Sequence, residues 1–438
     1  SLPITLATVT YLKPAIGCMG DRFARTPSLD RLAARGTLFE RAYCMQAVCS
    51  PSRNAMLTGL RPRTLRIYDL ATNFRLSVPD VVTLPQHFKN LGWKSEAMGK
   101  IFHVGHGNHE DPASWSVPHW QARTIGYALT ENRAQLSREE ALFENRPPAK
   151  AAALPRGAPY ESADVPDNTY GDGKIADEAI RRLQAAQANP SQPFFIAVGF
   201  LKPHLPFCAP RKYWDLHDPA RLPMPSRSIP PDGAPAFAPT NWGELRQYAG
   251  MPESGALEEA QIRRLIHGYY AATSYMDAQL GRVLDELDRL GQAKNTIIVL
   301  WGDHGWHLGD HGMWCKHSNY EQATRAPLII VAPGKPAGQK TQALAEFVDV
   351  YPTLCELAGL ELPRHLEGTS LVPILEDPRA EVKSTAFQVY PRGSRPHGPL
   401  LGQAAQLLAA LLVGPVELQV VPPAEAQVRV QVDVRHPQ

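Results

Sequence analysis

The chain has 438 residues, 44% of them hydrophobic and 20% charged, with a formal net charge of +2. Such a balance describes a globular protein that can bury one large domain and a smaller one. It excludes a disordered chain and a nucleic-acid binder that works through bulk positive charge.

In chain order, Ile4 to Val9 is apolar and β-branched and predicts a first strand. Ser28 to Gly36 reads as a short helix with an N-cap and a terminal glycine. An apolar approach, Ala42 to Val48, then meets Cys49-Ser50-Pro51-Ser52-Arg53, which opens a helix-like run to Gly59. A thiol at a helix start sits among unsatisfied backbone N–H groups and the positive end of the dipole. Pro51 suits the first turn, and Arg53 carries a planar cationic fork that matches an oxyanion. On local chemistry alone, an inert buried Cys beside a solvated Arg remains the alternative. Arg61, Arg63 and Arg66 follow as a local basic cluster, either a draw for an acidic substrate or a solvated loop.

A helix over Thr83–Leu91 leads to a strand over Lys94–Met98. Residues 104–170 are irregular, Pro-rich and polar, a length that in an enzyme shapes a substrate pocket. Asp172 to Gln187 is an amphipathic helix and Pro193 to Phe200 a strand buried on both faces. Residues 205–257 are again Pro-rich loop. A long helix over Ala260–Leu290, strands over Thr296–Trp301 and Pro327–Ala332, and a helix over Val350–Leu360 follow. The alternation predicts an α/β fold, a mainly parallel sheet sandwiched by helices. In such sheets ligands gather beyond the strand C-termini. Thr10-Tyr11, Lys100 to His103, Lys202 to His204 and Asp303-His304 each follow a predicted strand directly.

Leu400 to Val413 reads as an Ala-rich helix, and Val428 to Val434 alternates as a strand buried on one face. The most apolar run, Leu407 to Val413, is far short of the about 20 residues that a membrane span needs. The six cysteines, at 18, 44, 49, 208, 315 and 355, form no CxxC pair and no disulfide framework. His106, His109 and His397 lack metal-ligand spacing and read as solvated loop residues. Trp115 and Trp306 read equally as sugar-stacking rings or as core.

Cys49-x-Pro51-x-Arg53 resembles the signature of the type I sulfatases, in the alkaline phosphatase superfamily. Gly99-Lys100-Ile101-Phe102-His103 and Lys202-Pro203-His204-Leu205-Pro206 resemble further family segments in the same order. So do Gly302-Asp303-His304-Gly305-Trp306, the following Lys316, and Thr324-Arg325-Ala326-Pro327-Leu328. The resemblance runs from about Lys13 to about Arg392. It implies a sulfatase/alkaline-phosphatase-like sheet over residues 1–385 as the catalytic domain, with a divergent or truncated C-terminal element over 386–438. It also implies that a maturation enzyme converts Cys49 to formylglycine, that a calcium ion is bound, and that the substrate is a sulfated sugar.

By the same resemblance, Arg53, Lys100 and Lys316 supply positive charge. His204 and Lys316 bind the sulfate and protonate the leaving oxygen, and His103 takes a proton from the hydrated aldehyde. Asp303, His304 and the residue derived from Cys49 face the metal. The family carries two adjacent Asp residues where this chain has Thr10 and Tyr11, so Thr10 is left as a weak oxygen ligand. The expected activity is hydrolysis of a sulfate ester, with a 2-O-sulfated uronate of a glycosaminoglycan-type sugar as the expected substrate. The rival readings are a non-catalytic binder of sulfated sugars and a phosphoester or phosphonate hydrolase on the same fold. No nucleic-acid partner is expected. A leader is not present in this chain, whether removed or never included, and a periplasmic or secreted setting is expected over a cytoplasmic one.

Overall fold

Seven strands form the central sheet of the computed structural model, which describes residues 2–10, 12–123, 126–226, 231, 233–234 and 238–391. They are β1 (Ile4–Val9), β2 (Thr37–Tyr43), β3 (Lys94–Gly99), β4 (Phe194–Phe200), β5 (Ile297–Gly302), β6 (Leu328–Val331) and β7 (Gln339–Glu346). Their order across the sheet is β7-β2-β6-β5-β1-β4-β3. Neighbours are parallel except at β6, which runs against both β2 and β5. The helix expected over 400–413, the strand expected over 428–434, Tyr11 and His397 lie outside the described residues.

The four strands at the centre, β1, β4, β5 and β6, are buried at every residue, as their continuous apolar runs require. Alternate side chains go to opposite layers. Ile4, Leu6, Phe195, Val299 and Trp301 pack on one face with α2 (Cys49–Thr58) and a helix over Val350–Leu357. Ala7, Val9, Ile196, Val198 and Leu300 pack on the other with α1 (Pro27–Ala33) and two longer helices, Gly171–Gln187 and Glu259–Arg289. The strands β2 and β7 have no counterpart in the sequence reading. The edge strand β7 alternates exposed and buried residues, and β2 carries the polar pair Glu40-Arg41, so neither shows a continuous apolar run.

Two buried carboxylates lock the helices to the strand ends. Asp277 accepts hydrogen bonds from the backbone N–H groups of Ser28 and Leu29 at 3.0 and 2.8 Å, capping α1 from a neighbouring helix. Asp172, in the first turn of its helix, accepts from the N–H groups of Leu201 and Lys202 at 2.6 and 3.0 Å. That contact fixes the chain as it leaves β4 towards His204.

The stretch 104–170 is more ordered than expected. It holds short helices at Thr130–Arg133, Arg138–Phe143 and Pro148–Ala152, and a strand at Tyr160–Ala163 that pairs with Phe207–Pro210. Among the described residues no helix is long and apolar enough to cross a membrane.

At Gly99 and Gly199 the backbones of β3 and β4 come too close for a side chain. A Cβ on Gly199 would lie 2.2 Å from the Lys100 carbonyl oxygen, and one on Gly99 would lie 2.1 Å from that of Gly199. Gly199→Ala is therefore expected to destabilise the protein by about 2–3 kcal/mol in urea unfolding, because backbone rather than a side chain must move.

Candidate functional site

The ends of β1, β3, β4 and β5 and the start of α2 converge on one point. Val48 is extended, and Cys49 is the first residue of a helix whose ten residues are all buried. The thiol therefore lies at the helix N-terminus, with Pro51 in the first turn. Its Sγ stands 3.5 Å from His304 Nε2 and 3.7 Å from Lys100 Nζ. Burial pushes the thiol pKa up, but Lys100 and Lys316 outweigh this and bring it down to about 6.

Arg53 is fully buried one turn further along α2. Its Nε donates to Asp303 Oδ2 at 2.9 Å, Nη2 to Thr10 Oγ1 at 2.8 Å, and Nη1 to the Ile101 carbonyl at 3.0 Å and to the Lys100 carbonyl. All three guanidinium nitrogens are thus bonded to protein acceptors, and the expected oxyanion fork ties strand ends together. Its positive charge still contributes to the field in the site.

Around Cys49 lies a cavity of about 310 Å³, lined also by His103, Phe143, His204, Glu244 and Lys316. Lys316 Nζ lies 2.6 Å from Glu244 Oε2 and 5.7 Å from the centre of the Trp306 ring. Burial opposes the Lys316 charge, but Glu244 more than compensates and raises its pKa. Burial lowers the pKa of Lys100, with the Cys49 thiolate opposing, and drives His103 and His204 well below the usual histidine range. His204 Nε2 lies 3.9 Å from Glu244 Oε1, while its Nδ1 faces the Leu205 carbonyl. Lys202 turns away and donates to the Pro206 carbonyl at 2.6 Å and that of His204 at 3.2 Å, shaping the loop.

Cys49, Asp303 and His304 present donor atoms within 4.8 Å of one another, all buried. His304 Nδ1 lies 2.8 Å from the Gly305 carbonyl, and its Nε2 faces Cys49 Sγ. Asp303 already accepts from Arg53 on Oδ2 and from the His304 N–H on Oδ1 at 3.0 Å. Thr10 Oγ1 is engaged twice, accepting from Arg53 and donating to the Phe200 carbonyl at 3.0 Å. Calcium takes about 6–8 oxygen ligands, carboxylates above all. Even with an oxygen in place of the Cys49 sulfur, an imidazole and one committed carboxylate do not fit it.

Several expectations change here. His106, read as a solvated loop residue, is half-buried and lines the cavity, because the turn Gly105–Asn108 folds it back on His103. His109 is exposed. Trp115 and Trp306 are core residues packed in separate clusters. Arg61 pairs with buried Glu346, while Arg63 and Arg66 are exposed. Glu139, Phe143, Glu244 and His317 line the cavity although sequence reasoning did not single them out. They sit in the irregular stretches and beside Lys316, where no periodicity marks a pocket wall.

The chain matches the Sulfatase family over residues 11–360. It is 36% identical over 397 residues to the iduronate 2-sulfatase of Mus musculus, covering 83% of this chain and 70% of that protein. The iduronate 2-sulfatase of Homo sapiens is 35% identical over the same length and shares. Among solved structures, the phosphonate monoester hydrolase SpPMH from Silicibacter pomeroyi superposes with a TM-score of 0.68 at 23% identity, covering 89% of this chain and 80% of that one.

Three outcomes test the site. Arg53→Lys keeps the charge but reaches few of the acceptors, so urea unfolding should show a loss of about 3 kcal/mol. Calorimetric titration should find no tight calcium binding in the protein. Thr10→Asp, which adds a second carboxylate on the same guanidinium, should strengthen calcium binding by roughly tenfold or more.

Proposed function

The chain belongs to the sulfatase family and is a sulfuric ester hydrolase, and within that activity we propose that it removes a 2-O-sulfate from a uronate of a glycosaminoglycan-type sugar. The likeness to the two iduronate 2-sulfatases supports the substrate. The observation that carries the chemistry is Cys49 at a helix N-terminus, between Lys100 and His304, on a cavity wide enough for a sugar ring.

Conversion of Cys49 to formylglycine by a maturation enzyme is part of this proposal. The hydrated aldehyde supplies an oxygen nucleophile where a thiol stands. The chain's own residues supply the rest. Lys100 and Lys316 place two ammonium groups where sulfuryl oxygens gather charge. The helix N-terminus adds partial positive charge beneath them. Lys316, held by Glu244, lies on the cavity wall, suited to give a proton to the leaving sugar oxygen, and His204, kept neutral by burial, stands beside it to bind the substrate. His103, kept neutral by burial, is suited to take one. Calcium is not part of this mechanism, since the donor set does not fit it.

The test is sulfate release from a 2-O-sulfated uronate disaccharide, using protein whose Cys49 peptide has the mass of the aldehyde. Release is expected, and Cys49→Ala should reduce it to background. A faster reaction on phosphate esters would overturn the sulfatase assignment. Aldehyde-bearing protein that releases sulfate only from other esters would overturn the uronate substrate.

A further inference from the structure

The base suited to this reaction is paired with a second histidine. His103 Nε2 lies 3.2 Å from His106 Nδ1, and the two rings are 5.3 Å apart. Phe143 backs both, with its ring centre 6.2 Å from that of His103 and 5.0 Å from that of His106. His106 reaches this place only because its backbone is left-handed, with φ of 56°. That conformation is uncommon outside Gly, and His is among the few residues enriched in it.

One proton is shared between two facing nitrogens, so one ring donates and the other accepts. His103 Nδ1 is buried and has no hydrogen-bond partner among the described atoms. If His106 were the donor, His103 would carry its own proton on Nδ1 as an orphaned buried N–H. Orphaned buried donors are rarer than under-satisfied acceptors. Burial lowers the His103 pKa well below the usual range and that of His106 to about 3, so both rings are neutral near pH 7.

We propose that His106 is a positioning residue: it accepts from His103 Nε2–H and so fixes the tautomer in which His103 Nδ1 keeps its lone pair. That lone pair is then the one basic atom of the ring left to take up a proton. When it does, His103 becomes an imidazolium whose Nε2–H is already held by His106. The role of His103 as base rests on the function proposed above; the tautomer does not.

The experiment uses protein labelled with 15N in its histidines, with no substrate needed for the first reading. Two-bond proton–nitrogen correlation should show His103 as the Nε2–H tautomer. His106→Gly removes the ring without straining the left-handed backbone. It should shift His103 to a mixture of tautomers and lower kcat roughly 100-fold with KM little changed. Added imidazole should restore turnover, and His106→Asn, which keeps an acceptor and tolerates positive φ, should recover most of the loss. An Nδ1–H tautomer in the unaltered protein would overturn the proposal, whatever the substrate proves to be. So would an unchanged kcat in His106→Gly, or a loss that neither imidazole nor Asn repairs.

Discussion

The buried ion pair between Arg53 and Asp303 is the constraint on which the site depends. Both side chains are fully buried, so each charge would be intolerable without the other. The guanidinium reaches the ends of β1, β3 and β5 through Thr10, the Lys100 and Ile101 carbonyls, and Asp303. Three strand ends are thereby held against the first turns of α2. Cys49, Lys100 and His304 acquire their spacing from that arrangement, since each is a near neighbour in sequence of a bonded residue. Ser52 adds a further bond, donating to the Asp303 carbonyl. One side chain thus converts four separate stretches of sequence into a single rigid floor.

The charge pattern above that floor follows from burial. Lys100 and Lys316 are both taken out of water beside a thiol that they draw towards its anion. Glu244 offsets one of them, and its carboxylate bridges Lys316 and the neighbourhood of His204. The histidines, ringed by these cations and shielded from solvent, stay neutral. A site so arranged attracts an anion while keeping neutral bases beside it. The same economy explains why calcium is a poor fit. With Thr10 and Tyr11 in place of two carboxylates, the negative charge that would hold a divalent ion is largely absent, and the one carboxylate left belongs to Arg53.

Much of this was legible in the sequence, for identifiable reasons. Ile4 to Val9, Phe194 to Phe200 and Ile297 to Gly302 are apolar without interruption, so their burial and the exit points of their chains could be read directly. The motif residues fall at those exits. The strands Thr37–Tyr43 and Gln339–Glu346 were not legible, because polar residues interrupt them where they face solvent. His106 was misread because its place on the cavity comes from a backbone turn, not from spacing. Arg53 was legible as a residue but not in its partners. A guanidinium at a helix start looks made for a ligand until the acceptors of three strands are seen around it. Glu244 and Glu139 stand in long irregular stretches whose contacts only the folded chain reveals.

Phe143 touches the edges of this machinery without belonging to the sheet. Its ring packs on His103, His106 and His204 and lies 5.7 Å from Lys100 Nζ, yet it ends a short helix, Arg138–Phe143, in the excursion between β3 and β4. Floor and wall are therefore separate inheritances. Strand ends fix the reacting groups, and a change at Arg53 or Asp303 costs the buried ion pair. The wall rests on short helices joined by loops, which can lengthen, shorten or exchange residues without disturbing the floor. The shape of the accepted molecule can therefore change in that excursion without moving the reacting groups.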